Sequence, residues 1–331
     1  MIDTLYIEDA IREHPRVLEI MDRFPQARHI FCERYTEIFN RKNQNFRLQK
    51  KNPALILARK HHGFVLPAPA GYGIGGQKHY YFSHMLNCLY DCRYCFLQGM
   101  YRSANYVLFV NYEDFQDEIR SLAEQCPEQE SWFFSGYDCD SLALEPVSHF
   151  VEAFLPVFSG LPNAWLELRT KSTQIRSLLR SEVVENCVVA FSFTPDEVAQ
   201  AVEHRAPSVK KRLDAMVRLQ DKGWKLGLRF DPLIYQEGFE SQYRQLFEDV
   251  FARIDRESLH SVSLGTFRLP KNYFRTLSRL YPDEPLMACR YEENQGMVSY
   301  PSVLETQMKD FCSHELLTYI PEDKFFPCVE A

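Results

Sequence analysis

The chain has 331 residues, of which 45% are hydrophobic and 25% charged, and its formal net charge is -7. This length allows one large or two ordinary domains with a sizeable core, and the composition excludes a disordered or strongly cationic chain. No apolar run approaches the length of a membrane-spanning helix, and the acidic N-terminus lacks the features of a signal peptide. We therefore expect a cytoplasmic protein that does not bind membranes.

Residues 1–60 are predicted to form a helical and basic N-terminal segment. Apolar residues recur at helical spacing in IEDAIREHPRVLEIMDRF, from Ile7 to Phe24. The stretch from Arg41 to Gly63 is rich in lysine and arginine and contains no acidic residue. Such a stretch is either a solvated linker or a local basic face that contacts nucleic acid.

Short apolar runs alternate with amphipathic helical patterns through the middle of the chain. Predicted strands cover 105–110, 131–136, 164–170, 187–193, 225–234 and 260–268, and predicted helices cover 112–125, 145–161, 172–181, 208–223 and 239–254. This alternation predicts an α/β fold with a parallel sheet, closed or partly closed as a barrel, which we place in residues 61–270. Residues 271–331 are predicted to form a C-terminal extension, with a hairpin around Asn294–Gly296 and then a helix.

Three of the ten cysteines, Cys88, Cys92 and Cys95, form a C-x3-C-x2-C motif. Structural disulfides are rare in a reducing compartment, so a cluster of thiols there points to a metal site. Zinc is one reading, with His84 as the fourth ligand that a closed site needs. A [4Fe–4S] cluster suits three thiolates better, because the fourth iron then stays open for a chelating substrate. The motif follows HYYFSHML (79–86), which we interpret as the first barrel strand, and active sites of parallel barrels lie at the carboxyl edge of the strands.

With Tyr94 just before the third cysteine, the motif resembles the signature of the radical S-adenosylmethionine (SAM) superfamily. Over about 280 residues the chain also looks like the spore photoproduct lyase family. The stretches that show this resemblance are CLYDCRYCFLQGMYRSANYVLFVN (88–111), ALILARKHHGFVLPAP (54–69), LELRTKS (166–172), KKRLDAMVRLQDKGWKLGLRFDPLIYQEGFESQYRQLFEDV (210–250) and TFRLPKNYFRTLSRLYP (266–282).

The resemblance implies a partial (β/α)6-type radical SAM barrel that binds a [4Fe–4S] cluster and SAM. It implies cleavage of SAM to a 5'-deoxyadenosyl radical, repair of a thymine photoproduct in DNA, and an external electron donor such as flavodoxin or ferredoxin. The cluster ligands would be Cys88, Cys92 and Cys95. The cofactor-binding residues that it implies are Tyr94, Ser135, Gly136, Lys171 and Ser192.

The chain departs from the family at the position of a hydrogen-donating cysteine, which Tyr137 occupies, with Cys139 two residues further on. Phe96 replaces a tyrosine of a radical relay, which leaves Tyr94 as the remaining member. Either Cys139 or Tyr137 returns hydrogen to the product, or no donor is needed. We favour Cys139 because a thiol S–H bond is weak and the flanking acids keep it neutral.

The C-terminal hairpin differs as well. Beside Arg290 and Tyr291 it carries Glu292 and Glu293, which oppose phosphate. Two alternatives therefore stay open. One is a radical SAM enzyme of the same family with another substrate, and the other is a non-catalytic Fe–S or zinc protein.

Overall fold

The computed structural model describes residues 2–69, 71 and 73–328. Its strands in chain order are β1 (Thr4–Glu8), β2 (Arg28–Cys32), β3 (Leu55–Ala58), β4 (Val65–Pro67), β5 (Lys78–Phe82), β6 (Met85–Leu86), β7 (Asp91–Cys92), β8 (Tyr106–Phe109), β9 (Ser131–Ser135), β10 (Ala164–Thr170), β11 (Cys187–Ser192), β12 (Glu203–His204), β13 (Lys225–Leu233), β14 (Leu259–Thr266), β15 (Arg268–Pro270), β16 (Glu292–Asn294) and β17 (Met297–Ser299). Its α-helices are α1 (Pro15–Arg23), α2 (Phe46–Lys51), α3 (Leu97–Met100), α4 (Tyr112–Gln125), α5 (Glu145–Ser148), α6 (Phe150–Ser159), α7 (Arg176–Arg180), α8 (Asp196–Val202), α9 (Val209–Lys222), α10 (Phe239–Phe251), α11 (Lys271–Leu280) and α12 (Ser302–Leu317). Within these ranges no helix has the length and apolar character needed to cross a membrane.

The larger sheet has the strand order β14-β13-β11-β10-β9-β5-β4. Neighbouring strands from β5 to β14 are parallel, and β4 pairs antiparallel with β5 at one edge. Strands such as β11 are buried on both faces, as expected for a parallel sheet with helices packed against it. Because β5 and β14 do not pair in the described part of the chain, the sheet is an open, six-strand parallel barrel. This confirms the predicted partial barrel.

The N-terminal segment is not simply helical, and here the prediction was wrong. A second sheet has the order β2-β1-β3-β8-β6. The helical pattern of the N-terminal segment corresponds to a single α-helix, α1, which lies between β1 and β2 in the chain. Leu5 and Ile7 are fully buried, because β1 lies between β2 and β3. The predicted strand at 105–110 joins this sheet as β8 rather than the barrel. The sheet therefore takes strands from both sides of the boundary that we placed at residue 60.

The basic stretch from Arg41 to Gly63 is not a simple linker, because it contains helix α2 and strand β3 of this sheet. Strand β3, in its middle, is completely buried. Lys50 is 7% exposed, and the Lys60 ammonium lies 5.4 Å from the ring centroids of Phe109 and Phe115. Lys50 and Lys60, which we expected on a nucleic-acid-binding face, therefore point inward, because they flank the buried strand β3.

The C-terminal extension contains the predicted hairpin and helix. Strands β16 and β17 pair antiparallel across Gln295 and Gly296, which have φ values of +48° and +81°. Strand β15 extends the pair, and α12 follows it. The chain then runs beside β14, where Val262 pairs in parallel with Phe325. The extension thus packs against the last barrel strand.

Candidate active site

The three clustered cysteines lie on a loop held between the two sheets. Asn87, with φ of +68°, turns the chain after β6, and its side-chain amide donates to the carbonyls of Ser103 and Asn105 at 2.7 Å. Further along, Cys92 in β7 pairs antiparallel with Glu203 in β12. These contacts fix the loop at the carboxyl end of the barrel strands.

Each of the three thiols is in a site that disfavours an isolated thiolate. Burial raises the pKa of Cys88 to about 12 and is also the main cause that raises the pKa values of Cys92 and Cys95. Each thiol lies within electrostatic range of the others, and Lys50 and Lys171 oppose the shift. Binding to a metal centre is the way in which such cysteines lose their protons.

The donor set suits a cluster better than a single ion. Among the described residues, no three Cys, His, Asp or Glu side chains converge as ligands of one metal ion. His84 stacks on Phe150 with ring centroids 3.9 Å apart, so the structure does not support it as a zinc ligand. Three thiols that share a cavity without converging fit a [4Fe–4S] cluster, which takes one thiolate on each of three irons.

Strand β9 ends at the cavity in Ser135 and Gly136. The Ser135 hydroxyl lies 2.8 Å from the Ser141 hydroxyl and donates to the Glu167 carbonyl at 2.9 Å. Gly136 has φ of +79°, and a Cβ there would lie 2.5 Å from Ser141 Oγ. The site therefore needs glycine at this turn, which leaves the strand end open to a ligand.

Lys171 is held by Asp140. The Asp140 carboxylate accepts the Lys171 backbone N–H at 2.6 Å and the Thr170 hydroxyl at 2.7 Å. The same carboxylate accepts the N–H groups of Leu142 and Ala143. This network fixes the chain at the end of β10, from which the Lys171 side chain reaches the cavity.

Glu203 joins several of the expected site residues, although nothing in the sequence singled it out. Its buried carboxylate accepts hydrogen bonds from the Tyr94 hydroxyl and from Arg212, and the Lys171 ammonium lies 3.8 Å away. Burial raises the pKa of Glu203, but the neighbouring charges of Lys171 and Arg212 hold it below the usual value. Strand β12 has two residues and no periodicity, so a sequence pattern could not have revealed this contact.

Cys139 and Tyr137 occupy different parts of the site. Cys139 is 6% exposed and packs into the core of the N-terminal sheet with Met85 and Leu108. Burial first, then Cys88 and the flanking Asp138 and Asp140, raise the pKa of the Cys139 thiol well above its usual value. Tyr137 is 39% exposed. Its ring lies 4.4 Å from that of Tyr81 and 5.8 Å from that of Phe96.

Residues of β10, β13 and β15 form a charged wall of the site. The Arg268 guanidinium lies 3.2 Å from the Asp231 carboxylate. Below them, the buried Arg229 and Glu167 form an ion pair at 2.8 Å, and Arg169 also contacts Glu167 at 3.3 Å. The barrel interior is thus polar near the mouth, where a ligand can exchange hydrogen bonds with it.

Most of these groups line one cavity of about 520 Å³, and Glu203, Arg212 and Arg229 lie behind its wall as partners of lining residues. It is lined by every site residue that the sequence indicated, namely Cys88, Cys92, Tyr94, Cys95, Ser135, Gly136, Tyr137, Cys139, Lys171 and Ser192. Residues that sequence reasoning did not select also line it, among them Arg268 and Tyr273. The fold therefore brings the expected residues together, while their individual roles stay predictions.

Comparison with known proteins gives the family. The family model described as spore photoproduct lyase matches residues 77–324, from the first barrel strand through most of the C-terminal extension. The chain belongs to the spore photoproduct lyase family. It is therefore a radical SAM lyase, with a [4Fe–4S] cluster and SAM as its cofactors, as the resemblance of the sequence implied.

Individual spore photoproduct lyases show the same relationship. The enzyme of Bacillus subtilis (strain 168) is 25% identical over 291 residues, which cover 85% of this chain and 83% of that protein. The enzyme of Clostridium acetobutylicum is 20% identical, over 78% of this chain and 76% of its own.

Solved structures agree on the fold. A spore photoproduct lyase double mutant with bound AdoMet and dinucleoside spore photoproduct has a TM-score of 0.87 at 17% identity, over 100% of this chain and 99% of that one. A spore photoproduct lyase complexed with dinucleoside spore photoproduct has a TM-score of 0.84 at 17% identity, over 99% of this chain and 98% of that one.

Proposed function

We propose that this protein repairs spore photoproduct, or a closely related thymine lesion, in DNA. The observation on which this proposal rests is the spore photoproduct lyase match over residues 77–324, which includes the cysteine loop, the barrel and the hairpin. The solved relatives bind a dinucleoside spore photoproduct in the same fold. The cavity of about 520 Å³ is of a size suited to small ligands.

The cofactors would occupy the side of the cavity formed by the cysteine loop. Cys88, Cys92 and Cys95 would hold the cluster, and the Lys171 ammonium would bind the carboxylate of SAM. The open strand end at Ser135 and Gly136 would receive its amino group, and Ser192 its ribose or carboxylate. When bound, these cofactors supply the 5'-deoxyadenosyl radical, and the protein orients the reactants and excludes water.

The mouth of the cavity is suited to planar bases. Phe96 contacts Tyr137 on one side and stacks near Tyr273 on the other, with the latter ring centroids 6.5 Å apart. Tyr81 extends this row beyond Tyr137, and all four side chains line the cavity. Aromatic side chains bind unpaired bases by stacking, and a lesion is flipped out of the helix at lower cost than an intact base.

The charged wall complements the edge of a thymine ring. Its C(=O)–NH–C(=O) group offers two acceptors and one donor. Arg268 and Arg169 are donors, and Asp231 is an acceptor. We propose that this wall orients the lesion by hydrogen bonds to that edge.

We propose that Tyr137 returns the hydrogen atom. Its phenol is at the mouth, beside the aromatic row, whereas the Cys139 thiol is beside Cys88 in a core. The position of the two groups thus moves our preference away from the cysteine that the sequence favoured. The tyrosyl radical left behind would take up one electron from an external donor such as flavodoxin or ferredoxin and one proton from solvent, which reaches the exposed Tyr137.

We also propose a cytoplasmic location. All ten cysteines, Cys328 included, are free thiols in the structure, as is usual in a reducing compartment.

Turnover of dinucleoside spore photoproduct by the cluster-loaded protein tests the proposed function. With SAM and reductant under anaerobic conditions, we expect each dinucleoside to be converted to two thymidine molecules, and no conversion by the Cys88→Ala variant. Formation of 5'-deoxyadenosine without loss of the lesion would instead support a family member with another substrate. The exposed Glu292 on the hairpin favours this second candidate, whereas the charge of Glu293 is balanced by Lys271.

A further inference from the structure

Lys50, in helix α2 just before strand β3, lies close to the cysteine loop. It lies near the end of α2, 7% exposed, with its ammonium 3.9 Å from the Asp91 carboxylate, next to Cys92 in sequence. Arg205 donates to the Lys50 carbonyl at 2.7 Å and so attaches the helix end to the segment after β12. The side chain is therefore held in one place.

The charge of Lys50 is only partly balanced by its acidic neighbour. Asp91 lies 2.8 Å from Arg93, closer than it lies to Lys50. The other anionic groups that interact with Lys50 are the thiols of Cys88 and Cys95 when deprotonated. Lys171 interacts in the same way with Cys92 and Cys95, so two lysines from different parts of the chain flank the cysteine loop.

We propose that Lys50 is a positioning residue that raises the reduction potential of the cluster held by Cys88, Cys92 and Cys95. Reduction adds a negative charge to a centre that already has three thiolate ligands. A fixed cation nearby stabilises that charge strongly, because the surroundings are buried and screen poorly. Charges and hydrogen bonds near the sulfurs are among the factors that set such potentials.

The test compares Lys50→Met with Lys51→Met, an exposed lysine in the same helix. Both variants are reconstituted with the cluster and titrated anaerobically without SAM, and the reduced cluster is followed by electron paramagnetic resonance. We expect Lys50→Met to lower the equilibrium constant for reduction about tenfold, which is about 59 mV for a one-electron couple. A shift no larger than that of Lys51→Met would overturn the proposal.

If Lys50→Met does not fold or does not bind the cluster, two further variants test the same proposal. Lys50→Arg retains the charge and Lys50→Gln removes it while keeping a polar side chain. Arg should preserve the parent potential and Gln should lower it, and equal potentials would overturn the proposal. The inference rests on the cluster-bound state in the proposed function and not on repair, so the potential can shift as expected in a protein that leaves thymine lesions intact.

Discussion

A side chain at Gly136 should destabilise the protein, because the turn there has a positive φ and leaves little space for a Cβ. Gly136→Ala would place a Cβ 2.5 Å from Ser141 Oγ, at φ of +79°. The left-handed backbone costs about 1 to 2 kcal/mol and the overlap roughly another 1 to 3. We therefore expect the variant to lose about 3 to 4 kcal/mol of unfolding free energy, measured by denaturant unfolding. We also expect weaker SAM binding, measured by equilibrium dialysis.

Gly238→Ala is the matched control. Its φ is +77°, but the nearest atom to an added Cβ would be 3.8 Å away, at ordinary contact distance. It should lose only the backbone contribution of about 1 to 2 kcal/mol and keep SAM binding. Equal losses in the two variants would contradict the tight fit at Gly136.

Two variants test whether Tyr137 or Cys139 donates the hydrogen atom to the product radical. In Tyr137→Phe we expect formation of 5'-deoxyadenosine and loss of the lesion to persist, with product diverted to trapped adducts, because the phenol at the mouth is gone. Cys139→Ala should give clean product, since its thiol is buried beside Cys88. Mass spectrometry of the products measures both. The reverse pattern would identify Cys139 as the donor, as the sequence suggested.

His84 predicts part of the pH dependence of stability. Burial lowers its pKa to about 3, from 6.5 for an ordinary histidine. Between these values the unfolded chain binds a proton that the folded protein does not, so stability is complete above pH 6.5 and falls as the pH decreases towards 3. His84→Phe should keep the stacking on Phe150. Between pH 6 and 4, the unfolding free energy of the variant should fall less steeply than that of the parent, by up to about 1.4 kcal/mol per pH unit.

Denaturant unfolding at a series of pH values measures this effect. His260, whose pKa burial lowers to about 4, leaves a residual slope in the variant. The exposed His62 is the control, and His62→Gln should keep the parent slope. An unchanged slope in His84→Phe would show that this histidine is not the source.

At the scale of elements, the short pairing of β7 with β12 joins the cysteine loop to the barrel through Glu203. Glu203→Gln would leave Arg212, which is 1% exposed, without its carboxylate. Breaking a buried pair in this way costs about 3 to 5 kcal/mol. We also expect weaker SAM binding, because Lys171 and Tyr94 lose a shared partner. Unfolding and SAM titration together measure both losses.

Glu185→Gln gives the comparison. Glu185 pairs with Lys225 at 2.5 Å, but its side chain is 85% exposed, so its removal should cost less than about 1 kcal/mol. A similar small loss in Glu203→Gln would show that the pairing of β7 with β12 holds the loop without this carboxylate.

The sequence predicted the barrel strands well, because parallel strands buried on both faces form continuous apolar runs such as Cys187–Ser192. It failed where tertiary pairing decides the structure. Ile7 belongs to a helical pattern, yet it lies in β1 between two parallel strands. The predicted helix at 145–161 is divided at His149, which has φ of +48°. Neither the pairing of β12 nor the inward position of Lys50 has a local sequence signal.

At the scale of the whole molecule, the cavity lies in the barrel mouth and the C-terminal hairpin contributes Met297 to its wall. Arg290, just before β16, is exposed and is a candidate for phosphate contact. Arg290→Ala should weaken DNA binding similarly for all sequences and reduce the dependence of affinity on salt by about one counterion. Fluorescence anisotropy over a salt series measures this effect.

Arg244→Ala is the control for charge alone, because Arg244 pairs with Glu315 of α12. It should leave both affinity and salt dependence unchanged. If the two variants behave alike, nucleic acid does not approach through the hairpin. The motifs identified the residues around the cavity, but which wall faces DNA follows from the packing of the hairpin, which no motif encodes.

Repair of a thymine lesion by this protein can be measured on damaged DNA itself. The cluster-loaded protein is incubated anaerobically with SAM, reductant and UV-irradiated DNA that contains spore photoproduct, and the digested DNA is analysed by mass spectrometry. We predict loss of spore photoproduct with matching recovery of thymidine, and neither in the variant with Cys88, Cys92 and Cys95 replaced by alanine. Continued formation of 5'-deoxyadenosine while every thymine lesion persists would show that the protein does not repair thymine lesions.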